Sequence, residues 1–269
     1  MNCAPRLRSA IAGLVLMPFG ALSGAAPAAA DQIATRFEVF GFAGIRVLSL
    51  RSRTDENGAQ YAISVEYRTQ GMARMFVDLT TRAQVQGRLV EGAAQPEWFR
   101  NDASRNGVER HSRVDYRPDG AVVAASTPAP PDPITPQAAR GTVDNLTAYF
   151  RLERQLAAKG SCALTDRVFD GRHRYDLVFT DVGRKTLAPS GGQNFAGEAI
   201  ACHMTRHIRD GMPNAERDEG ARSGTIWYAR LISGDLMVPV RMQLDTQLGS
   251  VDGYLAELHG RGVDRAFME

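Results

Sequence analysis

The stretch YAISVEY, residues 61–67, alternates apolar and polar side chains and decides the fold class. A period of two residues is that of a β-strand with one face packed and the other in water. The same alternation returns in YDLVF, residues 175–179, and in LMVPVRMQL, residues 236–244. Short turn signals such as Asp170-Gly171 separate these runs, so the pattern predicts antiparallel strands joined by tight turns.

Two neighbouring segments depart from this alternation. A proline-rich strap at 127–136 is poor in backbone donors and predicts an extended connection. A helix is then predicted at about 142–158, with Thr142 as its N-cap and Lys159-Gly160 as its stop. Helical spacing gives it one apolar stripe, made of Leu146, Tyr149, Phe150 and Leu156. We therefore expect a mainly β protein, a strongly curved antiparallel sheet (open or half-barrel-like) with one α-helix packed over its apolar face.

The N-terminal residues have the pattern of a signal peptide. Arg6 and Arg8 precede a short apolar run, and Ala28-Ala29-Ala30 supplies the small residues that signal peptidase reads. We expect cleavage after Ala30, export to the periplasm and a single all-β domain over residues 31–269. The apolar run is shorter than the roughly 20 residues that cross a bilayer, so no transmembrane segment is expected.

Charge gives no indication of a nucleic-acid partner. The chain has 32 basic and 30 acidic residues, and removal of Arg6 and Arg8 with the signal peptide would make the two numbers equal. Nucleic-acid binding would call for a clustered basic surface, so it is not expected.

The stretch AIACHMTRHIRD, residues 199–210, brings a cysteine and two histidines close together in sequence. On a strand, Cys202 faces the core while His203 and His207 face the other way, so the three cannot share one metal ion. Structural zinc sites need four ligands, and we expect neither a metal nor another cofactor here.

Cys202 is explained better by a disulfide with Cys162, which is also predicted to face inward. Cys3 would leave with the signal peptide, so an exported chain has two cysteines and one possible pairing. An inward-facing cysteine lacks the electropositive, partly exposed setting of a catalytic thiol. The sequence contains no Gly-x-Ser-x-Gly elbow, and no catalytic residue is assigned.

The order of these segments resembles that of a bacterial family of exported proteins, domain of unknown function 3108. The resemblance covers nearly all of residues 36–258, and its most specific pieces are Phe169-Asp170-Gly171 with Arg174-Tyr175, and Val238-Pro239-Val240-Arg241 before Leu248-Gly249. It implies an envelope protein with a curved antiparallel sheet, and it carries no catalytic residues.

Three functional classes stay open at this point. The first is a non-enzymatic periplasmic protein that binds a partner or a component of the cell envelope, either a protein or a lipid. The second is a carrier of an apolar ligand, such as a lipid or a lipoprotein acyl chain, in which Leu146, Tyr149, Phe150 and Leu156 would touch the ligand. The third is a hydrolase with an unrecognised site. In the first class the same four side chains plug the sheet permanently.

Overall fold

A computed structural model describes Met1 and residues 31–211, 222–234, 236–246 and 249–268. Apart from Met1, the predicted signal peptide and its cleavage site lie outside the described residues.

Within the described ranges the chain forms fourteen strands and two α-helices. The first half contains β1 Asp31–Phe40, β2 Arg46–Asn57, β3 Gln60–Thr69, β4 Leu79–Val90, β5 Ala93–Arg105, β6 Val108–Tyr116 and β7 Val122–Thr127. The helices are α1 Pro136–Ala139 and α2 Asn145–Lys159. The second half contains β8 Leu164–Phe169, β9 Arg174–Leu187, β10 Gly197–Asp210, β11 Ser223–Ala229, β12 Val238–Thr246, β13 Gly249–Gly260 and β14 Val263–Ala266. Short 3₁₀ turns follow β1 at Phe42–Gly44 and β3 at Gly71–Met75.

All the strands belong to one antiparallel sheet. Its order is β7-β6-β5-β4-β3-β2-β1-β13-β12-β11-β10-β9-β8, with β14 paired to β13 beside this path. The sheet thus consists of two meanders, β1–β7 and β8–β13, that are joined where β1 pairs with β13. The predicted fold class is confirmed: a mainly β, curved antiparallel sheet that does not close, with one long helix.

β-bulges bend the sheet along its width. Register shifts occur at Arg36/Phe37 between β1 and β13, at Gln86/Gly87 between β4 and β5, and at Ala201/Cys202 between β9 and β10. Each extra residue bends its strand and increases the local twist. Repeated bulges account for the strong curvature that the alternating pattern alone does not specify.

The curvature brings the two ends of the sheet together at a seam. The turn after β8 meets β6 and β7: Ser126 Oγ donates to the Gly171 carbonyl at 2.9 Å, and Tyr116 Oη donates to the Phe169 carbonyl at 3.3 Å. Gly171 has a φ of 92°, and a Cβ there would lie 2.9 Å from the Cβ of Ser112. Only glycine fits this close approach without strain.

Asp170 holds the same turn in shape. Its carboxylate accepts hydrogen bonds from the backbone N–H groups of Arg172 at 2.9 Å and His173 at 2.7 Å. Burial alone would raise the pKa of Asp170, but these bonds and the His173 ring hold it below its ordinary value. The Asp170-Gly171 turn signal therefore marks the place where the sheet meets its other end.

The strap and the helix follow the first meander. Residues 128–135 form neither helix nor strand and lead into α1 and then α2. The predicted N-cap, Thr142, was wrong: α2 begins at Asn145, and the Asp144 carboxylate accepts the backbone N–H of Thr147 at 2.9 Å. Thr142 donates its hydroxyl to the Ala139 carbonyl instead. The stop was right, because Gly160 ends the helix in the left-handed conformation.

The disulfide between Cys162 and Cys202 is present. Both cysteines are fully buried, and their Cα atoms are 5.5 Å apart. Cys162 follows the end of α2, and its N–H donates to Asp181 on β9, so the bond ties the exit of the helix to β10. His203 and His207 occupy the opposite, outward positions of β10, partly exposed and exposed respectively.

Replacing Cys202 with serine is expected to lower the free energy of unfolding by about 2–5 kcal/mol, because the bond closes a loop between residues 40 apart in sequence. Urea unfolding of the oxidised protein, with and without reductant, measures the loss. Non-reducing peptide mapping should show Cys162 linked to Cys202. Two alkylatable cysteines in the folded, non-reduced protein would contradict the pairing.

Candidate functional site

The predicted stripe of α2 is packed inside the curved sheet. Leu146, Phe150 and Leu156 are buried, and Tyr149 is partly buried. Leu146 and Phe150 belong to a cluster formed by both meanders, with the Phe150 ring beside Tyr61 of β3, whereas Leu156 and Tyr149 pack with residues of the second meander. The helix therefore lies between the two halves of the sheet and contacts both.

Sequence reasoning missed part of this contact. Ala148 and Leu152 are fully buried and belong to the cluster of the second meander. A single stripe at helical spacing describes a helix with one wet face, but α2 is covered over a wider arc. Leu146, Thr147 and Ala148 are three consecutive buried positions. The sequence did not indicate this wider buried arc, because Thr147 is polar.

Thr147 is buried because it joins a polar relay. Its hydroxyl donates to Asp144 at 2.6 Å and lies 2.9 Å from the hydroxyl of Tyr61, which therefore acts as the donor to Thr147. Asp144 is fully buried, and burial raises its pKa to about 6. The relay fixes the first turn of α2 to β3.

Charged side chains fix the rest of α2. Glu56 at the end of β2 accepts Arg154 at 2.9 Å and Arg261 at 2.5 Å. Arg151 donates to the Ala94 carbonyl and to Asp166, each at 2.7 Å. The bonds of Arg151 and Arg154 link the helix to β2, β5 and β8, and they would break if the helix moved out as a lid.

Glu153 is placed unfavourably within this cluster. Burial, and secondly the nearby charge of Glu56, raise the pKa of Glu153 from 4.5 to about 8. Its own carbonyl accepts the N–H of Met237 at 3.2 Å, which holds this part of the helix in place.

The outward face carries a groove of about 440 Å³ across β13, β1, β2, β3 and β4. We call it the outer groove. The strand register sets one row of charged side chains across its floor, each directly opposite the next, in the order Glu257, Arg36, Arg51, Glu66 and Arg82. Arg53, two residues beyond Arg51 on the same face, lines the groove as well.

The two ends of this row are neutralised by ion pairs. Arg36 contacts Glu257 at 2.6 Å, and Arg82 contacts Glu66 at 3.1 Å. The hydrogen bond from Arg36 holds the pKa of Glu257 below its ordinary value. Arg68 also reaches Glu66 at 3.1 Å, so this carboxylate is shared by two arginines.

The centre of the row is not neutralised. Arg51 stands between Arg36 on β1 and Glu66 on β3, but Arg36 is already paired with Glu257 and Glu38, and Glu66 with Arg68 and Arg82. Arg51 is exposed, and over the described ranges of the chain no carboxylate lies within ion-pair distance of it. A second hollow of about 140 Å³ shares Arg51 and Glu66 and extends to Gln70.

The sequence could have predicted only part of the charged floor of this groove. Arg51 and Arg53 alternate in a way that turns both outward, which a strand reading could have found. Their juxtaposition with Arg36 and Glu257 depends on the register between distant strands, and periodicity does not give that.

The described residues provide neither a metal-binding cluster nor a helix that could span a membrane. No group of three or more His, Cys, Asp or Glu there could hold a metal ion. None of the helices in those ranges is long and apolar enough to cross a membrane.

Replacing Phe150 with alanine is expected to cost about 3–5 kcal/mol of unfolding free energy, since its ring is buried beside Tyr61 with centroids 5.0 Å apart. Chemical denaturation measures the loss. Val182→Ala, at an exposed position, is the control and should change little. A loss below about 1 kcal/mol, together with strong binding of an apolar dye by the wild type, would favour a lid over a plug.

Glu153→Gln is expected to change how stability depends on pH. Because the pKa of Glu153 is about 8 in the folded state and 4.5 ordinarily, the folded state holds a proton that the unfolded state releases between these values. Its contribution to stability therefore falls as pH rises through that window, and a glutamine removes this fall. Urea unfolding at the two ends of the window checks it, with exposed Glu198→Gln as control. An unchanged slope in Glu153→Gln would refute the assignment.

Comparison with known proteins identifies a family. One solved structure that resembles the chain is described as a "Beta-barrel-like Protein of Domain of Unknown Function DUF1849 from Brucella abortus", at 14% identity and a TM-score of 0.48, covering 86% of this chain and 97% of that one. The comparison with curated proteins gave no match. A family model described as "Protein of unknown function (DUF3108)" matches residues 36–256. The chain therefore belongs to the DUF3108 family, as its sequence resemblance predicted.

Proposed function

We propose that this protein is a non-enzymatic binding protein of the periplasmic cell envelope, and that the outer groove holds an anionic group of its partner. The observation that carries the proposal is Arg51, which stands directly opposite Arg36 and which, among the described residues, has no carboxylate within ion-pair distance. An anion bound at Arg51 would supply a counter-charge that the described residues do not provide, and it would screen Arg51 from Arg36. Residues that oppose a local stability rule are expected at functional sites.

The packing of α2 supports a binding surface on the outside. A carrier would need an apolar face that stays unfilled beneath the helix, but Leu146, Phe150 and Leu156 occupy that face. The ion pairs of Arg151 and Arg154 also hold the helix in place. The groove, by contrast, is open to solvent and lined by charged side chains.

Removal of Arg51 should separate function from stability. Arg51→Gln removes a charge that stands directly opposite Arg36, so the unfolding free energy should stay the same or rise by up to about 1 kcal/mol. Binding of a fluorescent oligo-aspartate peptide should weaken about tenfold, since a hydrogen bond between charged groups contributes roughly 1.5–3 kcal/mol. Added salt should weaken the binding of the wild type.

Arg110→Gln is the matched control, because Arg110 is also exposed but lies on β6, away from the groove. It should leave peptide binding unchanged. A clear loss of stability in Arg51→Gln would show a structural role instead. Equal binding by wild type and Arg51→Gln, or no binding by the wild type, would count against the proposed function.

A further inference from the structure

The 3₁₀ turn between β3 and β4 presents large apolar side chains to solvent. Met72 is 64% exposed, and Met75 and Phe76 are each 81% exposed. Ile45, one residue before β2, is 45% exposed. The N–H of Gln70 donates to the Val47 carbonyl at 2.9 Å, which places this turn beside the start of β2. We call these four residues the rim patch.

The backbone of the rim patch is anchored, so its exposure does not come from a slack loop. Arg74 makes two hydrogen bonds to Asp78, at 3.2 and 3.1 Å. The N–H of Asp78 donates to Asn106 at 2.8 Å, and that of Leu79 donates to the Thr69 hydroxyl at 3.0 Å. A fixed turn that points methionine and phenylalanine outward is typical of an interaction surface.

The charges around the rim patch are arranged for an anionic surface. Arg46 and Arg68 flank it, and their side chains are 56% and 52% exposed. The carboxylates that they reach, Glu38 and Glu66, are already paired with Arg36 and Arg82. The positive charge is therefore in excess, and the hollow that contains Arg51 opens at Gln70, directly before the turn.

From this arrangement we propose that the rim patch docks on the surface of a bilayer that contains anionic phospholipid. Met72, Met75 and Phe76 enter the boundary between headgroups and acyl chains, while Arg46 and Arg68 contact the phosphates. Such docking combines burial of apolar area with electrostatic attraction to the lipid surface. This proposal is independent of the ligand in the outer groove.

Flotation with vesicles tests the proposal on the full exported chain. Wild type should bind vesicles of phosphatidylcholine mixed with phosphatidylglycerol, and bind vesicles of phosphatidylcholine alone more weakly. The double variant Met75→Ser with Phe76→Ser should bind the mixed vesicles at least about tenfold more weakly, because it removes two exposed apolar side chains. Arg46→Gln with Arg68→Gln should abolish the preference for the anionic lipid.

Val182→Ser is the control, since Val182 is 49% exposed on β9, outside the rim patch, and should leave vesicle binding unchanged. The substituted residues are all exposed, so circular dichroism and thermal unfolding should match the wild type. Failure of the wild type to bind mixed vesicles would overturn the proposal. So would a dimer in sedimentation that the double serine variant dissociates without altering vesicle binding, because the patch would then join two copies of the chain.

Discussion

The architecture depends on the pairing of β1 with β13. Without it the chain would form two separate meanders, and the row of charges across the outer groove would be cut between Glu257 and Arg36. The pairing joins segments that are far apart in sequence, so it must overcome a large loop-closure entropy. It also needs Gly260: a Cβ there would lie 1.9 Å from the Gln32 carbonyl oxygen, and its φ is 118°.

The helix α2 fills the space inside this joined, curved sheet. Its apolar side chains contact both meanders, while Thr147, Arg151 and Arg154 bond to strands on different sides. Burial of apolar surface provides the main stabilisation. The buried charges fix the position of the helix along the sheet, because each charge would lose its partner if the helix slid. The disulfide of Cys162 then fixes the point where the chain leaves the helix.

The sequence predicted what depends on local periodicity. Alternation of apolar and polar residues predicted the strands. The inward-facing position of Cys202 on its strand predicted the disulfide with Cys162. The N-cap was misplaced because Thr142 and Asp144 are both favoured capping residues, and tertiary contacts decide between them: the Asp144 carboxylate caps the helix while also accepting the Thr147 hydroxyl. The charged floor of the outer groove could not be predicted, because Arg51 meets Arg36 only through strand register.

The seam between β7 and β8 has a consequence for the circumference of the curved sheet. A closed barrel has its circumference set by a continuous ladder of backbone hydrogen bonds. Here, among the described residues, the outer edge of β8 pairs only with Val143, through an isolated bridge to Val168. The two ends of the sheet meet through a turn and through side-chain hydrogen bonds such as those of Ser126 and Tyr116. The circumference of the curved sheet can therefore change in evolution through a few side-chain substitutions at the seam, while every strand keeps its hydrogen-bonded neighbours.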